Sequence, residues 1–285
     1  MSIPRTFYCR SGVFALTLVL TACGPVVMPS RGSLASSEST PSTHAARWIP
    51  TAGESYQIQY DGKLNLKYDA SIFDLDMFDT HASVVAELHR SGRHVMCYIS
   101  AGTWERWRPD AGKFPKSVLG NKDGHWPGER WLDIRQTSIL KPIMADRLDL
   151  CKKKGFDGVD PDNLDGYQNK TGFPLTYAEQ LTYDTWIAKA AHDRGLTADE
   201  KGDNGQVKDL AKVYDFAVVE QCYAQHWCDQ FNVYTNANRL VVDVEYYHDP
   251  QRFHHDNCPE AAKNHDTAML KKLELTAWIL TCPKK

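Results

Sequence analysis

The stretch Gly155-Phe-Asp-Gly-Val-Asp-Pro-Asp-Asn-Leu-Asp-Gly-Tyr167 crowds Asp157, Asp160, Asp162 and Asp165 into one apolar-flanked run. An unpaired carboxylate is costly to bury, so acids this dense mark a place where they do chemistry or hold a ligand. Extended-chain alternation sets Gly158, Asp160 and Asp162 on one side and Val159 on the other. Pro161 supplies no amide hydrogen, so the strand is expected to end there with its last acids projecting from the C-terminal tip.

Working outward, similar short β-type runs recur: Tyr56 to Tyr60, Ile72 to Leu75, His94 to Ser100, Trp131 to Ile134, Phe216 to Glu220, Leu240 to Glu245 and Ala277 to Leu280, with Leu196 to Asp199 a weaker strand. Helical patterns lie between many of them, at Ala82 to Ser91, Ile139 to Lys154 and Tyr177 to Arg194, each stopped by a glycine. Alternation of this kind predicts a mostly parallel sheet. If the apolar side of each strand faces helices, then Asp74, Asp76, Asp133, Asp160, Glu220, Asp243 and Glu245 share the other side, late in strand after strand. That position is the mouth of a (β/α)8 barrel of the TIM type, where active sites are built. An open doubly wound sheet is the alternative, but the chain has no glycine-rich phosphate loop.

The ends of the chain carry other signals. Arg5 and Arg10 precede the apolar stretch Val13 to Leu20, too short to span a bilayer, and Leu20-Thr21-Ala22-Cys23 resembles a bacterial lipobox. Residues 1–22 therefore read as a lipoprotein signal peptide and Cys23 as the lipidated N-terminus, with Gly24 favouring the outer membrane. Residues 24–46 are rich in Ser, Thr, Pro and Ala and read as a tether, leaving 47–285 as one folded domain. A formal charge of −3 and no basic stripe argue against nucleic acid, while a mildly acidic surface tolerates a cationic substrate. In a compartment that permits disulfides, Cys222 with Cys228 and Cys258 with Cys282 are the expected pairs; Cys97 and Cys151, in apolar patterns, are expected as buried thiols. No CxxC occurs and no histidine stands at zinc-finger spacing, so neither metal nor cofactor is expected, and the protein is expected to be a monomer.

Two carboxyl groups across a cleft are the minimum apparatus for cleaving a glycosidic bond: one protonates the departing oxygen while the other attacks or activates water. The candidates are Asp160 or Asp162 on one strand tip and Glu220 on another. Aromatic side chains near the tips, such as Tyr98, Trp104, Trp107, Trp126 and Trp227, suit the apolar faces of sugar rings, although most are expected in the core. Oxygen-ligand metal hydrolysis and non-catalytic polysaccharide binding are the rival readings.

The segments Asp74-Leu-Asp-Met-Phe-Asp79, Cys97-Tyr-Ile-Ser-Ala-Gly-Thr-Trp-Glu105, Trp107-Arg-Pro-Asp110, Gly128-Glu-Arg-Trp-Leu-Asp-Ile-Arg135, Gly158-Val-Asp-Pro-Asp-Asn163 and Glu220-Gln-Cys222 resemble those of glycoside hydrolase family 114. The resemblance implies a (β/α)8 barrel with endo-α-1,4-polygalactosaminidase activity on cationic, galactosamine-rich polymers. It implies a catalytic pair made of Asp162 or Asp160 with Glu220. Substrate-binding candidates are Asp74, Asp76, Tyr98, Glu105 and Asp133 on the N-terminal half. Asn163, Asp165, Lys201, Tyr223, Glu245 and Tyr246 complete the set. Two departures stand beside the site: Gly202 where relatives carry asparagine, and Val219 where they carry asparagine before the glutamate.

Overall fold

Strand and helix patterns alternate because each strand has one face for a barrel interior and one for a helix layer. In the computed structural model, which describes residues 47–124, 126–246 and 249–283, this alternation closes into a (β/α)8 barrel. The strands β1 (Tyr56–Gln59), β2 (Ile72–Asp76) and β3 (His94–Ser100) come first. An excursion follows, made of β4 (Thr103–Glu105), β5 (Leu119–Lys122) and β6 (Glu129–Leu132). The main sheet then resumes with β7 (Gly158–Asp162), β8 (Thr197–Lys201), β9 (Phe216–Glu220), β10 (Val241–Glu245) and β11 (Thr267–Leu270). Each of these neighbours runs parallel, in chain order, and the short β12 (Leu280–Thr281) lies antiparallel on β11. The expected signal peptide at 1–22 and the expected tether with Cys23 at 23–46 fall outside the described residues.

The interior has an apolar floor and a polar mouth. Ile58, Ile72, Met96, Phe216, Val218, Val242, Val244 and Met269 pack together between the strands. A larger core lies between the strands and helices α1 (Ala82–Arg90), α2 (Thr137–Lys154) and α3 (Tyr177–His192). Helix α2 stops at Gly155, whose φ of 93° is the left-handed conformation that glycine adopts without strain. Between β1 and β11 no backbone ladder forms among the described residues. Side chains fasten that seam: Thr267 Oγ1 donates to Glu54 O at 2.8 Å and Lys271 Nζ to Gln57 Oε1 at 3.1 Å.

Five expectations are corrected. Trp131 to Ile134 is no barrel strand: β6 pairs antiparallel with β4 and β5. A two-residue turn joins β3 to β4, too short for the crossover that a parallel neighbour needs, so the excursion pairs with itself. The eighth barrel strand is Thr267–Leu270 rather than Ala277 to Leu280. Strand β7 passes through Pro161 to Asp162, because its ladder with β3 continues while its pairing with β8 ends at Val159 and Ala198, where no proline amide is required. On β10 the valines face the interior floor, so Asp243 and Glu245 turn outward; a small barrel packs apolar groups on both faces, and apolarity alone does not tell them apart.

The fifth concerns Cys97 and Cys151, which form a disulfide with Cα atoms 6.0 Å apart, tying β3 to α2. Cysteine is buried whether free or bonded, so the apolar pattern did not distinguish the two states. Closing a loop of 54 residues constrains the unfolded chain by about 4 kcal/mol. Cys222–Cys228 and Cys258–Cys282 pair as expected.

Candidate active site

Glycine and asparagine make the mouth possible. The turn from β3 into β4 runs so close to the end of β7 that a Cβ on Gly102 would lie 1.6 Å from the Asn163 carbonyl oxygen. In return, Ala101 N and Gly102 N donate to Asp162 O at 2.9 and 3.1 Å. Asn163 takes a left-handed φ of 64°, and Gln221, directly after Glu220, a φ of 57°. Both acid-bearing strands thus end in a sharp reversal that non-glycine residues adopt at a cost, a feature concentrated at functional sites. Asn163 Nδ2 bonds Ser100 Oγ at 3.1 Å and Thr103 Oγ1 at 3.3 Å, and Thr103 Oγ1 donates to Glu129 Oε2 at 2.8 Å.

Asp162, Asn163, Asp165, Lys201, Gly202, Glu220 and Trp227 line a cleft of ≈ 170 Å³ at the C-terminal end of the strands. Asp162 Oδ1 accepts its neighbour's amide at 2.9 Å, and Oδ2 accepts Tyr98 Oη at 3.1 Å. Glu220 keeps 39 % of its side chain open to the cleft. Burial of its base pushes the Glu220 carboxyl up to about 7; Lys201 and a hydrogen bond from Tyr246 oppose that rise, while the charges of Asp162 and Asp160 add to it. Asp162 is likewise raised by burial, against the pull of Lys201. The exposed edge of Glu220 meets solvent, which moderates the size of its shift but not its direction.

Beneath the cleft, Asp160 is fully buried and its Oδ2 accepts Lys201 Nζ at 2.9 Å and Tyr60 Oη at 2.6 Å. Burial works against its charge, but Lys201 and the hydrogen bonds it accepts keep its carboxyl below the usual range. Lys201 stands 3.7 Å from Glu220 Oε1, so one ammonium serves both strands. Burial favours its neutral form, and the surrounding acids, Asp160 first, reverse that and keep it charged. Asp74 lies deeper, its Oδ2 accepting Tyr56 Oη at 3.0 Å and standing 2.9 Å from Tyr60 Oη.

Of the residues singled out in the sequence, Asp160, Asp162, Asn163, Asp165, Lys201, Glu220, Tyr98, Tyr246 and Asp74 are brought together here. The others use their polar atoms elsewhere. Asp76 and Glu105 hold Arg108 at 2.6 and 2.7 Å. Asp133 is paired with Arg135 at 2.7 Å beyond the excursion sheet. Glu245 accepts the amides of Tyr223 and Ala224 at 3.1 and 3.0 Å, and Tyr223 Oη turns to Asp266 at 2.6 Å. Those acids brace loops because strand-tip carboxylates also serve as caps for the backbone that leaves the strand.

Sequence reasoning missed Tyr60, Asp199 and Glu129. Asp199 stands two residues before Lys201 and so shares its side of β8. Glu129 lies buried near Asp162, and that burial pushes it up to about 8. Of the two departures, Val219 faces the helix-side core and not the cleft, and Gly202 has open space where a side chain would stand. Among the described residues, only Cys222, Cys228 and Asp243 group at metal-ligand distances, and both sulfurs are spent in their disulfide.

The architecture has clear relatives. The crystal structure of Aspergillus fumigatus Ega3 in complex with galactosamine is 36% identical, with a TM-score of 0.79, over 83% of this chain and 98% of that one. The glycoside hydrolase domain of PelA from Pseudomonas aeruginosa, 13% identical with a TM-score of 0.65 over 81% of this chain and 99% of that one, shares the fold. An uncharacterized protein of Deinococcus radiodurans is 34% identical over 109 residues, 36% of this chain and 34% of that protein, so the chain spans about a third of that relative's length. The model of glycoside-hydrolase family GH114 matches residues 37–285, and the chain belongs to that family of glycoside hydrolases.

Proposed function

We propose that the protein cleaves internal α-1,4 bonds of galactosamine-rich polysaccharide, with Glu220 as the acid that protonates the departing oxygen and Asp162 as the opposing carboxylate. The observation that carries this reading is the unequal environment of two acids lining one cleft. Burial raises both carboxyls, Glu220 to about 7 and Asp162 above its usual range, and each charge disfavours the other. Asp162 receives two hydrogen bonds from Tyr98 and the Asn163 amide, whereas Glu220 receives one from Tyr246. Donors stabilise the charged form, so the charge rests on Asp162 and the proton on Glu220.

Of the two aspartates left open by the sequence, Asp162 is favoured because it faces the cleft. Asp160 is fully buried and committed to Lys201 and Tyr60. The lining supports a cationic sugar: Asp162, Asp165 and Glu220 face the cleft, and its one basic group among the described residues, Lys201, is held from below by Asp160. Galactosamine bound to the similar Ega3 fits this chemistry. The internal mode of cleavage and the α-1,4 linkage rest on the family resemblance.

The test is digestion of a panel of acetylated and deacetylated galactosamine polymers, following reducing ends and product length. Wild type should release mid-length fragments. Asp162→Asn and Glu220→Gln should each lose about 10²- to 10⁴-fold in kcat. Full activity in both variants would sink the assignment of the pair, and release of single sugars alone would sink the internal mode.

A further inference from the structure

Tyr60 has one hydroxyl hydrogen and two carboxylate oxygens to serve, Asp160 Oδ2 at 2.6 Å and Asp74 Oδ2 at 2.9 Å. Two ionised carboxylates cannot both bond to that hydroxyl favourably, because only one receives its proton and the other meets an oxygen lone pair. One of the acids must therefore carry a proton of its own. Lys201 lies 2.9 Å from Asp160 Oδ2, which makes Asp160 the anion and Asp74 the acid that donates to Tyr60.

A second count concerns Asp199. It is fully buried, and neither of its oxygens meets an N–H or O–H donor among the described residues. Asp160 Oδ1 has the same deficit, and the two carboxyls lie within hydrogen-bonding reach. A single proton on Asp199, donated to Asp160 Oδ1, gives that oxygen and one Asp199 oxygen a partner, whereas two bare carboxylates there would leave all three oxygens without one.

We propose that Asp74 and Asp199 are positioning residues held as neutral carboxylic acids, which leave Asp160 the one anion of this trio of acids and so fix the Lys201 ammonium beneath Asp162 and Glu220. Three acids, one charge and one lysine give an interior with no net charge to desolvate. Among the described residues, the other titratable groups facing this cluster are Tyr56, Tyr98, Asp162, Glu220 and Tyr246, none of them cationic. Held from below, the lysine lends its charge to the cleft acids. The benefit to catalysis rests on the hydrolase reading given above; the protonation states do not.

Infrared difference spectra test the protonation directly. In a Glu220→Gln background near pH 8, Asp74→Asn and Asp199→Asn should each abolish one C=O stretching band of a protonated carboxyl. In the Glu220-containing enzyme, the same two substitutions replace a neutral acid by a neutral amide, so both limbs of the pH profile of kcat/KM should stay in place. Asp160→Asn should instead release Lys201 toward Glu220 and lower the alkaline limb by about one pH unit, with kcat falling more than KM changes. The proposal is overturned if neither substitution removes a band, or if either lowers the alkaline limb as Asp160→Asn does, which is the signature of a deleted charge. Should one variant fail to fold, the other still decides. If no polymer is cleaved, the hydrolase reading fails while the spectra still judge this one.

Discussion

Lys201 sits at the electrical centre of the molecule, 2.9 Å from Asp160 and 3.7 Å from Glu220. Its charge lowers the proton affinity of Asp162 and Glu220, so removing it must raise both. Wild type needs the Glu220 proton, and kcat/KM should therefore fall about tenfold per pH unit above about pH 7. In Lys201→Met both limbs of that profile should move to higher pH, with lower activity at neutrality; limbs that stay put would remove the lysine from the electrostatics of the site. Both cleft acids were legible in the sequence as the last inward residues of their strands, whereas Lys201, beyond the expected strand Leu196 to Asp199, was singled out through the family resemblance. Tyr60 and Asp199 were not: nothing local to Tyr60 reveals that it reaches across the barrel to Asp160, and the β8 pattern was too weak to carry Asp199 with it.

At the level of elements, the close crossing of the β3–β4 turn over the end of β7 sets where Asp162 points. Gly102→Ala would force a Cβ into a space 1.6 Å from the Asn163 carbonyl, so backbone must move. We expect the variant to lose stability and to lose kcat by more than KM rises. Gly112→Ala, where nothing lies within 4 Å, should match wild type in both assays. Equal behaviour of the two variants would show that the crossing has no bearing on the cleft. The strands that carry site residues were readable because Phe216–Glu220 is an apolar run ending in an acid and Gly158–Asp162 sets its acids at alternate positions. The face of β10 was not, because valines serve equally in the barrel floor and under a helix. The excursion β4–β6 was mistaken in part for a barrel strand because pairing partners are chosen by connection length, which composition does not record.

Across the whole molecule, buried acids dominate the dependence of stability on pH. Burial holds Glu129 and Glu200 up to about 8 and Asp203 and Asp266 up to about 7, while their unfolded values are those of ordinary carboxyls. The native state therefore keeps protons that the unfolded chain releases, and stability must decline as pH rises from about 5 to about 8. Asp157 and Asp215 work in the opposite sense, since their histidine and backbone partners outweigh burial and depress them, so their contribution is lost in strong acid. Melting temperatures should accordingly peak in mildly acidic solution; a Tm that climbs steadily from pH 5 to pH 8 would contradict this.

The side-chain fastening between β1 and β11 gives that behaviour an address. Burial lowers Lys271 to about 7, so at neutral pH the nitrogen that reaches across to Gln57 is close to shedding its charge. A more acidic medium forces a cation into the join, and a more alkaline one instead charges the buried acids Glu129, Glu200, Asp203 and Asp266. The two directions of titration thus strain different parts of the cylinder: acid works at its lengthwise closure, base at the acids buried around its wall, and the hoop of eight staves is tightest where neither has begun.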